Sequence, residues 1–311
     1  MIRKYTTRNS LILILTAFIW GIAFVAQTEG GDAVGPFSFN CIRSIIGAVT
    51  LLPIIAFLDK TDSNRNKPVT VADKKLLLKG GIACGVVLCI ASNLQQLGIS
   101  AGSSTGKAGF LTACYIIIVP ILGLLQGKKC RWNIWTGVAI TVVGLYLLCI
   151  DGEFSIQLSD ILLFLCAVFF AVHIIVIDRF SALVNGVRMS CIQFFVSGIL
   201  TSIPMFIFEI CPATKGFSAW AAPFLSLNTW IPILYAGVLS CGVAYTLQII
   251  GQKNFNPTIA SLLLSLESVF AVIAGWLILN QTMGLRQITG CVLIFTAVIL
   301  AQINFADKNK A

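Results

Sequence analysis

Ten apolar runs, each about as long as a bilayer is thick, constrain this chain more than any motif in it. A hydrocarbon core about 30 Å thick takes about 20 residues of helix. The runs lie at about 10–27, 36–57, 80–98, 106–125, 133–150, 160–178, 189–209, 229–250, 257–280 and 286–305. Between them stand turn-like or charged segments such as "TEGGDAVGP", "DKTDSNRNKPVTVADKK" and "QGKKCRW". In lipid a lone segment must satisfy its own backbone hydrogen bonds, which a helix does. The fold class expected is an all-α integral membrane protein with ten transmembrane helices. Composition agrees: 58% of residues are hydrophobic and 11% charged, against about 45–50% and 25% in soluble domains. Too little polar surface remains to face water on all sides, so the lipid bilayer is the expected surrounding.

The net charge of +9 does not point to nucleic acid, because the basic residues sit in short gaps between apolar runs. With a cytoplasmic N-terminus, 17 of the 21 Lys and Arg fall in cytoplasmic segments, as the positive-inside rule requires. Lys107, Lys215 and Arg286 fall outside them, and Arg43 lies within a run. An even number of spans puts both termini in the cytoplasm. The opening "MIRKYTTRNS" and its apolar run lack an Ala-x-Ala cleavage site, since "AFVAQ" carries Val25 there. It reads as a retained first helix rather than a signal peptide. Of eleven cysteines, nine lie inside apolar runs, where they act as small packing residues.

The two halves of the chain repeat each other. "NCIRSIIG" at 40 matches "SCIQFFVSG" at 190, and "GVVLCIASNLQQ" at 85 matches "GVLSCGVAYTLQ" at 237. "WNIWTGVAITVVGLYLLCI" at 132 matches "LRQITGCVLIFTAVILAQI" at 285. The offsets are 150, 152 and 153 residues, in order. Five spans per half is an odd number, so the halves must sit in the membrane with opposite orientation. Inverted-topology repeats of this kind build many secondary transporters, with the substrate near the midplane where the repeats meet.

Several segments carry a resemblance to a known family. The first run holds "AFIWGIAF", with Trp20–Gly21; "GKAGFLTACYIIIVPILGLL" follows at 106, including Pro120. "ASLLLSLESVFAVIAGWLILNQTMGLRQITGCVLIF" begins at 260. On these the chain resembles the drug/metabolite transporter superfamily, in its ten-helix, EamA-type branch, over nearly its whole length. Two positions depart from the pattern: Ser268 follows Glu267 where the family has Pro, and Gln281 stands where it often has Glu. The resemblance implies transport of a small metabolite across a bacterial inner membrane, and no particular substrate. The domains expected are two EamA-like five-helix repeats, 1–151 and 158–306, and a cytoplasmic tail at 307–311.

The candidate site residues are polar or aromatic side chains inside the runs. Glu267 lies near the centre of the ninth. A charge there costs roughly 3 kcal/mol or more, so it is expected to face a cavity or a partner. It reads as a proton relay or substrate-amine contact, or as an acid satisfied by a neighbouring helix. Arg43 lies about seven residues into the second run; it either snorkels to the interface or grips a substrate carboxylate. His173, the one histidine, is a proton shuttle or a hydrogen-bonding partner of another helix. Asn93 and Gln96 share a helix face, as do Tyr245 and Gln248, and the offset of 152 pairs them. They read either as facing each other across a central cavity or as plain interhelical hydrogen bonds. Trp20 and Tyr115 are central in their runs and are candidates to line it.

"GSSTGKA" at 102 is not a phosphate-binding loop, having three residues between its glycines and Ala108 after the lysine. Gly98, Gly102 and Gly106 read instead as sites of close backbone approach. No catalytic residue, cofactor or metal site is assigned, since one histidine and no nucleophile motif leave no enzyme chemistry to build. The function expected is a secondary transporter of a small polar metabolite, with export as the favoured direction and protons as a candidate coupling ion. An intramembrane enzyme, and a sensor or structural protein on a transporter scaffold, are the alternatives.

Overall fold

The computed structural model describes residues 2–61, 68–103, 105–127, 132–149, 157–212, 216–279 and 284–302. The tail at 307–311, Gln281, and the basic residues Arg65, Lys67, Lys128, Lys129, Arg131 and Lys215 lie outside them. The described residues form helices in this order: α1 (Ile2–Val34), α2 (Pro36–Thr61), α3 (Val71–Ser100), α4 (Thr105–Ala113), α5 (Tyr115–Leu125), α6 (Trp132–Cys149) and α7 (Leu158–Ser181). Next come α8 (Gly186–Met205), extended by a π-helical turn Phe206–Ile210, and the short α9 (Gly216–Ala221). Last are α10 (Leu227–Leu234), a π segment Tyr235–Ala244, α11 (Tyr245–Gln252), α12 (Pro257–Leu264), α13 (Leu266–Leu279) and α14 (Leu285–Gln302). Among the described residues, eight helical stretches are long and apolar enough to cross a membrane; Ile134–Leu148 and Leu285–Leu300 are shorter apolar helices. They occupy the fifth and tenth of the ten expected runs.

Local chemistry sets the helix ends. Thr70 and Asp73 form a capping box at the start of α3, each side chain accepting from the other's backbone N–H at 3.1 and 3.0 Å. Asn185 caps α8, and Asn256 caps α12 ahead of Pro257. Gly35, at φ +89°, turns the chain from α1 straight into α2. Proline marks the irregular stretches. Pro204 and Pro232 stand shortly before the two π segments, where the missing N–H frees a carbonyl and the ladder shifts by one residue.

The polarity is that of a protein in lipid. Exposed positions are apolar, as at Phe57, Ile199, Phe206 and Trp276, while Asn40, Gln96, His173, Gln193 and Ser265 are fully buried. The closest helix pairs are α2 with α8, α6 with α14, α3 with α7 and α8, and α1 with α13. The π segment packs on α2, α11 on α1, and both α4 and α5 on α7. α2 and α8 run antiparallel. The Cys41 thiol donates to the Gly198 carbonyl at 3.4 Å, and the Cys191 thiol to the Ala48 carbonyl at 3.5 Å.

Two glycines show how tightly the halves interlock. A Cβ on Gly85 would lie 2.7 Å from the Gln193 carbonyl oxygen and 2.7 Å from Val196 Cβ. A Cβ on Gly237 would lie 3.2 Å from the Arg43 carbonyl oxygen and 2.7 Å from Ile46 Cγ2. Each contact is the other shifted by the repeat offset. Of Gly98 and Gly102, Gly98 is a site of close approach, against Leu163, whereas Gly102 turns the chain at φ +91° with open space around it.

Candidate functional site

α4 and α5 are one apolar run broken at Cys114, and α12 and α13 are another broken at Ser265. At both breaks the ladder tightens for one step: Ile117 N–H donates to the Cys114 carbonyl at 3.0 Å, and Ser268 N–H to the Ser265 carbonyl at 3.1 Å. The breaks place Tyr115 and Glu267 in the first turn of the helices that follow. These two side chains meet, the Tyr115 hydroxyl donating to Glu267 Oε1 at 3.0 Å. Glu267 is only 5% exposed. Gly21 on α1 lets α13 come close, since a Cβ there would stand 2.8 Å from the Glu267 carbonyl oxygen.

Glu267 and Tyr115 line a cavity of about 30 Å³. Arg43 lines it from α2, Trp20 from α1, and Tyr245 and Gln248 from α11. Tyr245 sits at the centre of an aromatic cluster, 4.6 Å from the Trp20 ring and 5.2 Å from Phe194. Trp20 Nε1, Gln248 Oε1 and Gln27 Oε1 are buried in this wall with no hydrogen-bond partner among the described residues. Buried polar atoms seldom stay unpaired, so the wall offers donors and acceptors to water or a solute.

Arg43 does not snorkel. It is 4% exposed, donates from Nε to Asn40 Oδ1 at 2.7 Å, and lies over the Phe39 ring at 5.3 Å. A relay stands behind it. Asn40 Nδ2 donates to the Ser92 carbonyl at 2.9 Å and to Asn93 Oδ1 at 3.1 Å, and Asn93 Nδ2 donates to Thr201 Oγ1 at 2.9 Å. The guanidinium stays inside because protein groups replace the water it would otherwise seek.

Three expected residues lie elsewhere. Asn93 belongs to the relay behind Arg43. Gln96 is fully buried and donates to the Gln27 carbonyl at 2.8 Å. His173 is fully buried, with Nε2 3.2 Å from Gln193 Oε1, and reaches the cavity only through its edge contact with Tyr245. The pairing of Asn93 with Tyr245 and of Gln96 with Gln248 across a cavity is therefore not the arrangement found. α3 is regular, whereas a ten-residue π segment precedes Tyr245. Its wider turns change the angular phase of everything after it, so matching positions point differently.

Sequence reasoning missed Gln27, Gln95, Thr112 and Ser240 in the cavity wall. Gln95 donates to Thr112 Oγ1 at 3.3 Å, joining α3 to α4 at the wall. The signal was present: Gln27 and Gln95 are amides within or beside apolar runs. Nothing short of the packing distinguishes Gln95 from its neighbour Gln96.

The profile described as the EamA-like transporter family matches this chain twice, over residues 8–150 and 157–302. The chain belongs to the EamA-like transporter family. It is a multi-pass membrane transporter, and the EamA-like transporters are not enzymes. An uncharacterized transporter of Archaeoglobus fulgidus is 29% identical over 295 residues, covering 94% of this chain and 84% of that one. The uncharacterized transporter YoaV of Bacillus subtilis is 24% identical over 308 residues, covering 95% and 97%. One solved crystal structure matches with a TM-score of 0.73 at 18% identity, over 95% of this chain and 98% of the other, which shows a shared fold. Where the EamA pattern carries proline after the ninth-span acid, Ser268 here donates its hydroxyl to the Gly109 carbonyl at 3.2 Å, tying α13 to α4.

Proposed function

We propose that this protein is a secondary carrier that exports a small polar metabolite, such as an amino acid or an amine, across a bacterial inner membrane by alternating access. The observation that carries this reading is the presence of Arg43 and Glu267 in one cavity, on helices from different halves of the chain. A guanidinium is suited to a carboxylate. A carboxyl group opposite it suits an ammonium or an exchangeable proton, and protons are the proposed coupling ion. By about 10–15 Å³ per water, the cavity of about 30 Å³ holds roughly two waters, so it must widen to load a solute.

We read the architecture as ten spans in two five-helix repeats, 1–151 and 158–306, of opposite orientation, with both termini cytoplasmic. At about 1.5 Å per residue, the 18 residues of α6 and of α14 each reach about 27 Å, close to the hydrocarbon thickness. The antiparallel run of α2 and α8 supports the inversion. So does the packing: replacing each span by its counterpart in the other half turns α3 on α7 into α11 on α1, and α3 on α8 into the π segment on α2.

The test is flux of pooled labelled amino acids and amines in proteoliposomes, with and without a pH gradient, for wild type and Glu267→Gln. Gradient-driven flux that the variant loses while still folded supports a proton-coupled carrier. Equal flux in both returns Glu267 to a packing role. No flux of any probe sinks the amino-acid and amine reading. Comparing right-side-out with inside-out vesicles reads the direction.

A further inference from the structure

The two ends of the α2–α8 pair are tied by contacts that are copies of each other. At one end Glu209 reaches the start of α2. Phe37 N–H donates to its Oε1 at 2.8 Å, and Ser38 N–H and Oγ donate to its Oε2 at 2.7 and 2.5 Å. At the other end Asp59 reaches the start of α8 and pairs with Arg188. Asp59 and Glu209 are 150 residues apart, and so are Ser38 and Arg188. Each carboxylate therefore leaves the end of one helix and holds the first turn of its counterpart. Ser38 to Asp59, like Arg188 to Glu209, is 21 residues, or about 32 Å of helix. The ties sit about one hydrocarbon thickness apart.

Both ties are made at once, in a structure whose central cavity has room for only about two waters. Helices that gate a carrier must separate at one face while joined at the other. A pair fastened at both faces, and keyed in the middle by the Cys41 and Cys191 thiols, has no face free to part. We infer that α2 and α8 form a fixed post at the centre of the carrier, pinned by Glu209 and Asp59, while the other helices move around it. This rests on the carrier reading above. Arg43 stands on the post, held through Asn40 to Asn93 of α3. Glu267 stands on α13, which packs against α1. Opening then changes the separation of these two groups by moving the Glu267 side. Trp220 Nε1 donates to Ser38 Oγ at 2.7 Å, so α9 rides on the same pin.

The test is covalent linkage in the full-length protein. Asp59→Cys with Arg188→Cys joins one end, and Ser38→Cys with Glu209→Cys the other. Cys211→Ser is included because Cys211 is exposed close to Glu209. A short bis-methanethiosulfonate linker is applied to membranes, and links are counted on the intact protein by mass spectrometry. A fixed post predicts that the four-cysteine variant acquires both links in the same molecule. Links that exclude each other, one end closing only as the other opens, overturn it. The linked protein is then assayed with the pooled amino-acid and amine probes, and should keep about half or more of the unlinked flux. A fall of roughly tenfold or more on linking identifies α2 and α8 as gating helices and overturns the post. If the unlinked protein carries no probe, the amino-acid and amine reading fails, while the double link still supports a rigid pair. Should the four-cysteine protein not fold, the two single-end variants are read by the same flux criterion. Retention in both supports the post, and loss in either overturns it.

Discussion

Arg43 on α2 and Gln193 on α8 occupy matching places in the two halves, each with its backbone carbonyl pressed against the matching glycine of the other bundle. Their side chains live differently. Arg43 enters the cavity with Glu267, while Gln193 turns to His173 and leaves its Nε2 without a partner among the described residues. The backbone obeys the repeat; the site does not. A duplicated scaffold thus supplies two equivalent positions, and the chain has placed its charge at one of them. A symmetric cavity would read both ends of a solute alike. This one presents a guanidinium on one side and a carboxyl group on the other, so its two sides differ in chemistry.

Five substitutions would break or sharpen that comparison, from the largest effect to the smallest. Gln193→Arg puts a second cation in a fully buried place beside His173. A loss of about 3 kcal/mol or more is expected, visible as a collapse of folded yield in detergent; a well-behaved protein would mean that the second position is as polar as the first. Arg43→Gln makes the two halves match. Removing a charged hydrogen-bonding partner costs about 1.5–3 kcal/mol, so the KM for carboxylate-bearing probes should rise roughly 10- to 100-fold, with little change for simple amines.

Gly85→Ala and Gly237→Ala test whether the scaffold itself is symmetric. Overpacking costs about 1–3 kcal/mol. Gly85→Ala should cost more, because the new methyl meets a backbone oxygen at 2.7 Å, whereas at Gly237 the nearest atom belongs to the Ile46 side chain. Equal melting temperatures for the two variants would contradict that asymmetry. Tyr115→Phe removes only the hydrogen bond to Glu267. Such bonds in membranes are worth about 1 kcal/mol or less, so the melting point should move by a few degrees at most. A larger drop would show that Glu267 depends on this hydroxyl alone.

Much of the fold was legible before any coordinate. Apolar run length depends on the bilayer and little else, so the long helices and their order could be read directly. The repeat offset reappears in contacts as specific as Cys41 with Gly198 and Cys191 with Ala48. The site was legible at its charges and central aromatics: Glu267, Arg43, Tyr115, Trp20, Tyr245 and Gln248 lie together. It failed at neutral amides. Gln96 and Asn93 are as polar as Gln95, and a helix turns about 100° per residue, so one step decides between a cavity wall and an interhelical hydrogen bond. For Arg43 the snorkelling alternative failed, since it assumes that the partner of a buried cation is water, and Asn40 and Phe39 supplied other partners.

By itself, then, the sequence determined that the chain lives in lipid, runs as long apolar helices, and repeats after about 150 residues. Those properties are sums over many residues, each contributing the same transfer energy wherever it points. Only the tertiary structure decided which face of each helix meets the cavity, which carboxylate ties which helix start, and which of two matching positions brings its side chain to the cavity. Those outcomes depend on the angular phase of single side chains, shifted here by a π segment and two helix breaks, and on neighbours that lie far away along the chain.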